Sequence, residues 1–287
     1  MKKYFPLYVS MTLGIVFYSC HYNESDAFED TKMDTISMSV VDTIMCIDSV
    51  LTMKKQGSAM SLEGDVYVLT VYTGRNSWEE KTINYFNLKL HEAEQWLQEQ
   101  AQRYGKTVTF HNGSFGSTKP IPYDVTPGAR KGTESTDVIE SVMKTIGYQT
   151  PLDFVNWVKQ EYGYDNCLVL VVADKPGVSY AIGYRNDYDE NKYYLEGAVI
   201  FTQYPQGGSL YSASIAHEMC HVFGAEDLYE TFQQTKENEQ LAKELYPDDI
   251  MFRISADIDE LVIDEMTAWF VGLSDVEKGW YRKFSVE

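Results

Sequence analysis

The apolar positions along the chain fall into separate periodicities, and each predicts an element. Residues 65–73 alternate and are rich in Val and Tyr, the pattern of a strand with one face on a core. Over residues 77–104 the apolar positions (Ile83, Phe86, Leu88, Leu90, Ala93, Trp96, Leu97, Ala101) recur at roughly helical spacing until Gly105 stops them. Residues 107–110 predict a second strand, and the Gly- and Pro-rich stretch 113–132 predicts a loop. Residues 136–146 and 151–162 predict two helices. Residues 168–173 are apolar without interruption, as in a strand buried on both faces. Residues 180–184 and 195–202 predict two further strands, followed by helices over 210–223, 236–245 and 259–273. Alternating strand and helix in the first half predicts a mainly parallel sheet covered by helices.

The start of the chain has a different pattern. Lys2 and Lys3 precede an apolar run that ends at Ser19 and Cys20. The run is short for a membrane-spanning helix, which needs about 20 apolar residues. A basic start and a short apolar run predict a secretory signal. The small residue before Cys20 resembles the cleavage site of bacterial lipoproteins, which implies a signal over residues 1–19 and a lipid on Cys20. Plain secretion and an uncleaved anchor are the alternatives. Residues 21–35 are polar and acidic, as in a tether, and residues 36–60 carry an apolar pattern around Val40, Ile44 and Leu51. These features predict a tether and short packing element over 20–60 and a main domain over 61–287. The expected location is the bacterial cell envelope, with the protein lipid-anchored at the outer membrane or cell surface.

Composition narrows the classes. The chain has 24 Lys and Arg against 43 Asp and Glu, for a net charge of −19 over 287 residues. Nucleic-acid backbones and anionic lipid heads both need a basic surface, so neither is an expected partner. Cys20, Cys46, Cys167 and Cys220 are all the cysteines, and a lipid on Cys20 leaves an odd number, which is no disulfide framework. Cys167 and Cys220 are expected to be buried thiols. The acidic run 186–191 lacks the spacing and glycine of a calcium loop and is read as solvated.

One cluster carries chemistry. His217-Glu218-Met219-Cys220-His221 is H-E-x-x-H on a predicted helix. Residues four apart on a helix share a face, so both imidazoles can reach one ion. Zinc favours nitrogen and sulfur ligands in a tetrahedron. A carboxylate beside the first His can take a proton from water activated at the open position, which zinc brings toward a pKa of about 7. The chain has only five His, so this spacing is an unexpected coincidence for an ordinary buried helix. Gly224 can end the helix in the left-handed conformation and swing Asp227 back as a third ligand. Glu226, or Glu260, Asp264 or Glu265 on the last predicted helix, are the other carboxylates weighed for that role. Downstream, Met251 follows a turn at residues 246–250.

The full pattern, H-E-x-x-H-x-x-G-x-x-D with a later Met, resembles the metzincin clan of zinc metalloproteases. It is also similar to zinc-protease lipoproteins of gut-type bacteria, through Gly-Ala-Glu-Asp-Leu-Tyr at 224–229 and Asp-Glu-x-Thr-Ala at 264–268. The resemblance covers about residues 61–275. It implies an α+β fold: a mixed, mainly parallel twisted sheet with an antiparallel edge strand, covered by helices, with a zinc-binding active-site helix and a smaller C-terminal helical part. It implies His217, His221 and Asp227 as zinc ligands, Glu218 as general base and Met251 as the apolar floor. Peptide or protein substrates would add to the edge of residues 195–201. No tyrosine follows the Met in the family's pattern, so the group that stabilises the oxyanion is left unassigned, with Tyr229 near in sequence. The expected activity is a zinc metalloendopeptidase. The alternatives are a hydrolase restricted to short or cell-wall peptides and a zinc-bound surface binding protein with little turnover.

Overall fold

A computed structural model describes residues 56–125, 137–183, 191, 194–230 and 234–285. The expected signal, Cys20, Cys46, most of the tether and packing element, and the acidic run 186–190 lie outside the described residues. Five strands form one sheet: β1 (Gly64–Thr73), β2 (Val108–Phe115), β3 (Asn166–Pro176), β4 (Tyr180–Ile182) and β5 (Gly197–Gln203). Their order is β2-β1-β3-β5-β4, parallel throughout except for β4, which runs antiparallel to β5 at one edge. Six helices accompany them among the described residues: α1 (Glu80–Arg103), α2 (Asp137–Ile146), α3 (Pro151–Tyr162), α4 (Ser212–Val222), α5 (Lys236–Leu245) and α6 (Glu265–Phe270). This is the mainly parallel sheet that the alternation of elements predicts, with the antiparallel edge strand that the resemblance implies. Among the described residues no helix is long and apolar enough to cross a membrane.

The sheet is covered on both faces because its strands alternate between two cores. Val66, Val68, Leu168, Leu170, Ala198 and Ile200 pack in one core with α1 and α4. Leu69, Val71, Val169, Val171, Val199 and Phe201 pack in the other with α2 and α3. β3 lies at the centre and is buried from Asn166 to Ala173, which explains its uninterrupted apolar run. In α1 the apolar stripe Phe86, Leu90, Ala93, Trp96, Leu97 and Ala101 is buried. Burying each large side chain of such a stripe contributes about 1.5–3 kcal/mol. The limits of α3 match those predicted because Thr150 and Asp153 cap each other reciprocally at its start and Gly163 ends it.

Two expectations are corrected. Residues 195–201 are no free edge: β5 is flanked by β3 on one side and β4 on the other, so the edge strand is β4. A Cβ on Gly197 would stand 2.2 Å from the Val169 carbonyl oxygen, so its small size admits the neighbouring strand. The last predicted helix, 259–273, is broken. A 3-10 turn (Ile258–Glu260) is followed by an extended segment, and only Glu265–Phe270 is α-helical. The break has a partner: the Ile250 amide donates to the Val262 carbonyl at 2.9 Å, and the Val262 amide to that of Asp248 at 3.0 Å.

The segment before β1 is strapped across the ends of the central strands. The Ala59 amide donates to the Glu196 carboxylate at 2.8 Å. The Met60 amide donates to the Asn166 side chain at 2.9 Å, and the Asn166 amide returns a bond to the Glu63 carbonyl at 3.1 Å. Glu196 and Asn166 are both buried.

Glu94 is a second buried acid, on α1, where the Asn112 amide donates to it at 2.9 Å. Burial raises its carboxyl from 4.5 to about 7, against the downward pull of Asn112. The folded protein therefore keeps a proton that the unfolded chain releases near pH 4.5. The stability this contributes is complete below that pH and is lost as the pH rises through 7, a change of about 3 kcal/mol. Glu94→Gln keeps an acceptor for Asn112 and removes the titration. Its unfolding free energy is expected to fall less than that of the wild type between pH 5 and pH 8, measured by urea denaturation at each pH.

Candidate metal centre

The helix α4 is buried at every residue except His221, which is half-buried. Such a helix is held from all sides, and its side chains have fixed directions. His217 and His221 stand one turn apart with ring centroids 4.6 Å from each other. Each ring is gripped from behind by a main-chain carbonyl. Nδ1 of His217 lies 2.9 Å from the Ile250 oxygen, and Nδ1 of His221 lies 2.7 Å from the Ala225 oxygen. A carbonyl oxygen only accepts, so each Nδ1 carries a proton, and the lone pair of each ring in its neutral form lies on Nε2.

Those lone pairs converge. The two Nε2 atoms are 3.1 Å apart. Asp227 Oδ1 stands 3.1 Å from the Nε2 of His221 and 3.3 Å from that of His217. Three electron-pair donors therefore form a nearly equilateral triangle. A tetrahedral ion with bonds of about 2.0–2.1 Å spaces its ligand atoms by about 3.3 Å, so the triangle matches one face of that tetrahedron. Two imidazole lone pairs and a carboxylate at this range repel one another unless a cation lies among them. Among the described residues this is the one group of His, Cys, Asp or Glu that could hold a metal ion.

The electrostatics agree with that need. Burial pulls the His221 imidazole down, but the Asp227 carboxylate, with Glu218 and the Ala225 carbonyl, overrides it and raises the group to about 9. Burial raises Asp227, and the two imidazoles outweigh it and hold the carboxyl well below the usual range. A shared proton is the simplest cation the cluster takes, and a divalent ion is the stronger one.

The chain around Gly224 makes the third corner possible. Gly224 has φ +99°, in the left-handed region. Its amide donates to the His221 carbonyl and that of Ala225 to the Cys220 carbonyl, both at 2.9 Å, the two bonds of a Schellman turn. The same turn aims the Ala225 carbonyl at His221. It also returns the chain toward α4, where the Leu228 amide donates to the Met251 carbonyl at 2.9 Å. Met251 is fully buried in the turn that grips His217 through Ile250.

The three predicted ligands thus come together, and Glu218, the residue after His217, is 7% exposed. The alternative carboxylates lie outside the cluster. Glu260 bonds Ser255 at 2.8 Å, and Glu265 accepts from Tyr246 at 3.0 Å. Asp264 stands at the N-cap position of α6 without a side-chain capping bond, and its main-chain amide donates to Asp249 at 2.8 Å. Glu226 is not in the cluster. Cys220, on the same helix, and Cys167, in β3, are buried thiols, as expected. Two things escape the sequence. The Tyr229 ring lies beside that of His217, with centroids 6.5 Å apart and planes 24° from parallel. The carbonyls of Ile250 and Ala225 leave no mark in a sequence, because every residue has one.

No protein-family model matches the chain, and no curated protein matches it. Among solved structures it is similar to the crystal structure of metalloproteinase-II from Bacteroides fragilis, with 13% identity and a TM-score of 0.38. The likeness covers 78% of this chain and 55% of that one, so the chain spans about half the length of that protein.

A Cβ at position 224 would face the Phe270 carbonyl oxygen at 3.4 Å and would carry a left-handed backbone. Gly224→Ala is therefore expected to cost about 1–2 kcal/mol of stability in urea. Because the Ala225 carbonyl and Asp227 move together, it should also weaken any uptake of a divalent ion by the cluster, measured by competition with a chromophoric chelator.

Proposed function

We propose that this chain is a zinc-dependent hydrolase. More narrowly, we propose a metzincin-like endopeptidase with His217, His221 and Asp227 as the metal ligands and Glu218 as the general base. The observation that supports the reading most is the triangle of three lone-pair donors, with edges of 3.1–3.3 Å, whose histidine tautomers are set by two carbonyls. Two nitrogens and one oxygen leave a fourth tetrahedral position open, the arrangement of a catalytic zinc site. When bound, zinc supplies Lewis acidity to the scissile carbonyl and to the attacking water.

The chain's own residues do the rest. Glu218 takes a proton from water as the C–O bond forms, and delivers it to the amine as the C–N bond breaks. No covalent intermediate is required. Tyr229 is the tyrosine whose ring flanks a proposed ligand, and we assign its hydroxyl to the developing oxyanion. An extended peptide fits the outer edge of β4, the antiparallel edge strand, through main-chain hydrogen bonds. The basic start, the apolar run and Cys20 support export and a lipid anchor, with peptides or proteins of the cell envelope or its surroundings as substrates.

The test is cleavage of a mixed peptide library by the chain from residue 21 onward, loaded with zinc. Glu218→Gln is expected to retain zinc and to lose about a thousandfold in kcat. Equal cutting by both forms would remove Glu218 from the mechanism. Stoichiometric zinc without cutting in either form would replace the endopeptidase reading with that of a zinc-bound binding protein. Tyr229→Phe is expected to lower kcat about 10–100-fold with KM within about threefold of the wild type, in steady-state kinetics on the best library peptide.

A further inference from the structure

Asp249 is fully buried, and both its carboxylate oxygens are used. Oδ1 accepts from the Met251 amide at 2.7 Å and from the Thr267 hydroxyl at 3.0 Å. Oδ2 accepts from the Asp264 amide at 2.8 Å. The first bond folds the turn back on itself. The other two fasten it to the start of α6. Main-chain bonds close the same turn, from the Phe252 amide to the Asp249 carbonyl at 2.9 Å and from the Arg253 amide at 3.1 Å.

This turn presents two consecutive carbonyls to the metal centre. That of Ile250 faces His217 Nδ1 at 2.9 Å. That of Met251 accepts from the amide of Leu228, the residue after Asp227, at 2.9 Å. One corner of the triangle is therefore aimed by the turn, and the segment of a second is tied to it. A buried carboxylate costs several kcal/mol unless donors surround it. Here three donors surround it, and an apolar residue in its place would leave the Met251 and Asp264 amides and the Thr267 hydroxyl without that acceptor.

We infer that Asp249 is a positioning residue of the metal centre, whose carboxylate fixes the turn that orients His217 and the segment carrying Asp227. It acts through the Ile250 and Met251 carbonyls and touches neither metal nor substrate. Its consequence for activity rests on the zinc-hydrolase reading. The orientation of His217 does not.

Asp249→Asn separates positioning from packing. The amide has the size of the carboxylate but only one acceptor. Its NH2 group must face either the Asp264 amide or the Met251 amide and Thr267 hydroxyl, and so sets donor against donor. The readouts use the full chain labelled with 15N at histidine, which has only five such residues. In the metal-free wild type, the imidazole nitrogen shifts are expected to show His217 protonated on Nδ1. In Asp249→Asn they should show a mixture of tautomers, and zinc affinity should fall about 10–100-fold. Val142→Ala, which removes methyl groups from the opposite core, is the control. It is expected to lower the unfolding midpoint and leave both readouts unchanged.

If Asp249→Asn folds with the wild-type His217 tautomer and zinc affinity within about twofold, the inference is overturned, whatever its stability. If that variant does not fold, Thr267→Val decides. It keeps the carboxylate and removes one of its three donors, and it should weaken zinc binding at least about threefold. No change there overturns the inference as well. If the wild type takes up no zinc, the hydrolase reading fails, while the His217 tautomer still decides the role of Asp249.

Discussion

Two hydrogen bonds from imidazoles to main-chain carbonyls govern the site. Each imidazole has two nitrogens, and the free ring exchanges its proton between them. The Ile250 and Ala225 carbonyls end that exchange by accepting from Nδ1. Both Nε2 lone pairs are then directed at one point, and Asp227 adds a third. The two carbonyls come from different parts of the chain. One belongs to the turn after α5, the other to the turn that closes α4. Each is held in place by a further element, Asp249 for the first and Gly224 for the second. The cluster therefore depends on backbone geometry as much as on its own side chains.

This dependence explains which parts of the site were legible in the sequence. His217, Glu218 and His221 are readable because helical spacing converts sequence distance into a shared face. Asp227 is readable one step less directly, through the glycine that must precede it to turn the chain. Tyr229 could not be chosen among 22 tyrosines, because its place beside His217 follows from the return of the chain after Gly224. Asp249 carries no spacing signal. Its partners are the Met251 and Asp264 amides and the Thr267 hydroxyl, brought together only by the fold.

The same division runs through the fold. β3 and α3 are legible because local pattern and caps decide them. The apolar spacing from Asp259 onward fits one helix. Val262 instead pairs with the turn that grips His217, and this long-range bridge prevails over a local preference worth a few tenths of a kcal/mol per residue. β2 runs on to Phe115, through Asn112 and Gly113, because parallel pairing with β1 continues that far. Which strand forms the edge is a matter of strand order, and periodicity along one segment is silent on order. That is why β5 reads as a plausible edge and β4 occupies it.

The strap before β1 has a mechanical meaning. At the start of the described chain, Ala59 and Met60 are bonded to Glu196 and Asn166 at the ends of the central strands. A pull from the N-terminal side meets Ser58 first, whose carbonyl accepts from the Cys167 amide at 2.7 Å and whose hydroxyl accepts from the Glu196 amide at 2.8 Å, and then Ala59 and Met60. The load passes into β3 and its neighbours before it reaches the turns around Gly224 and Asp249. Tension on residues 58–60 is thus taken up first at the start of β3 and at Glu196 beside β5.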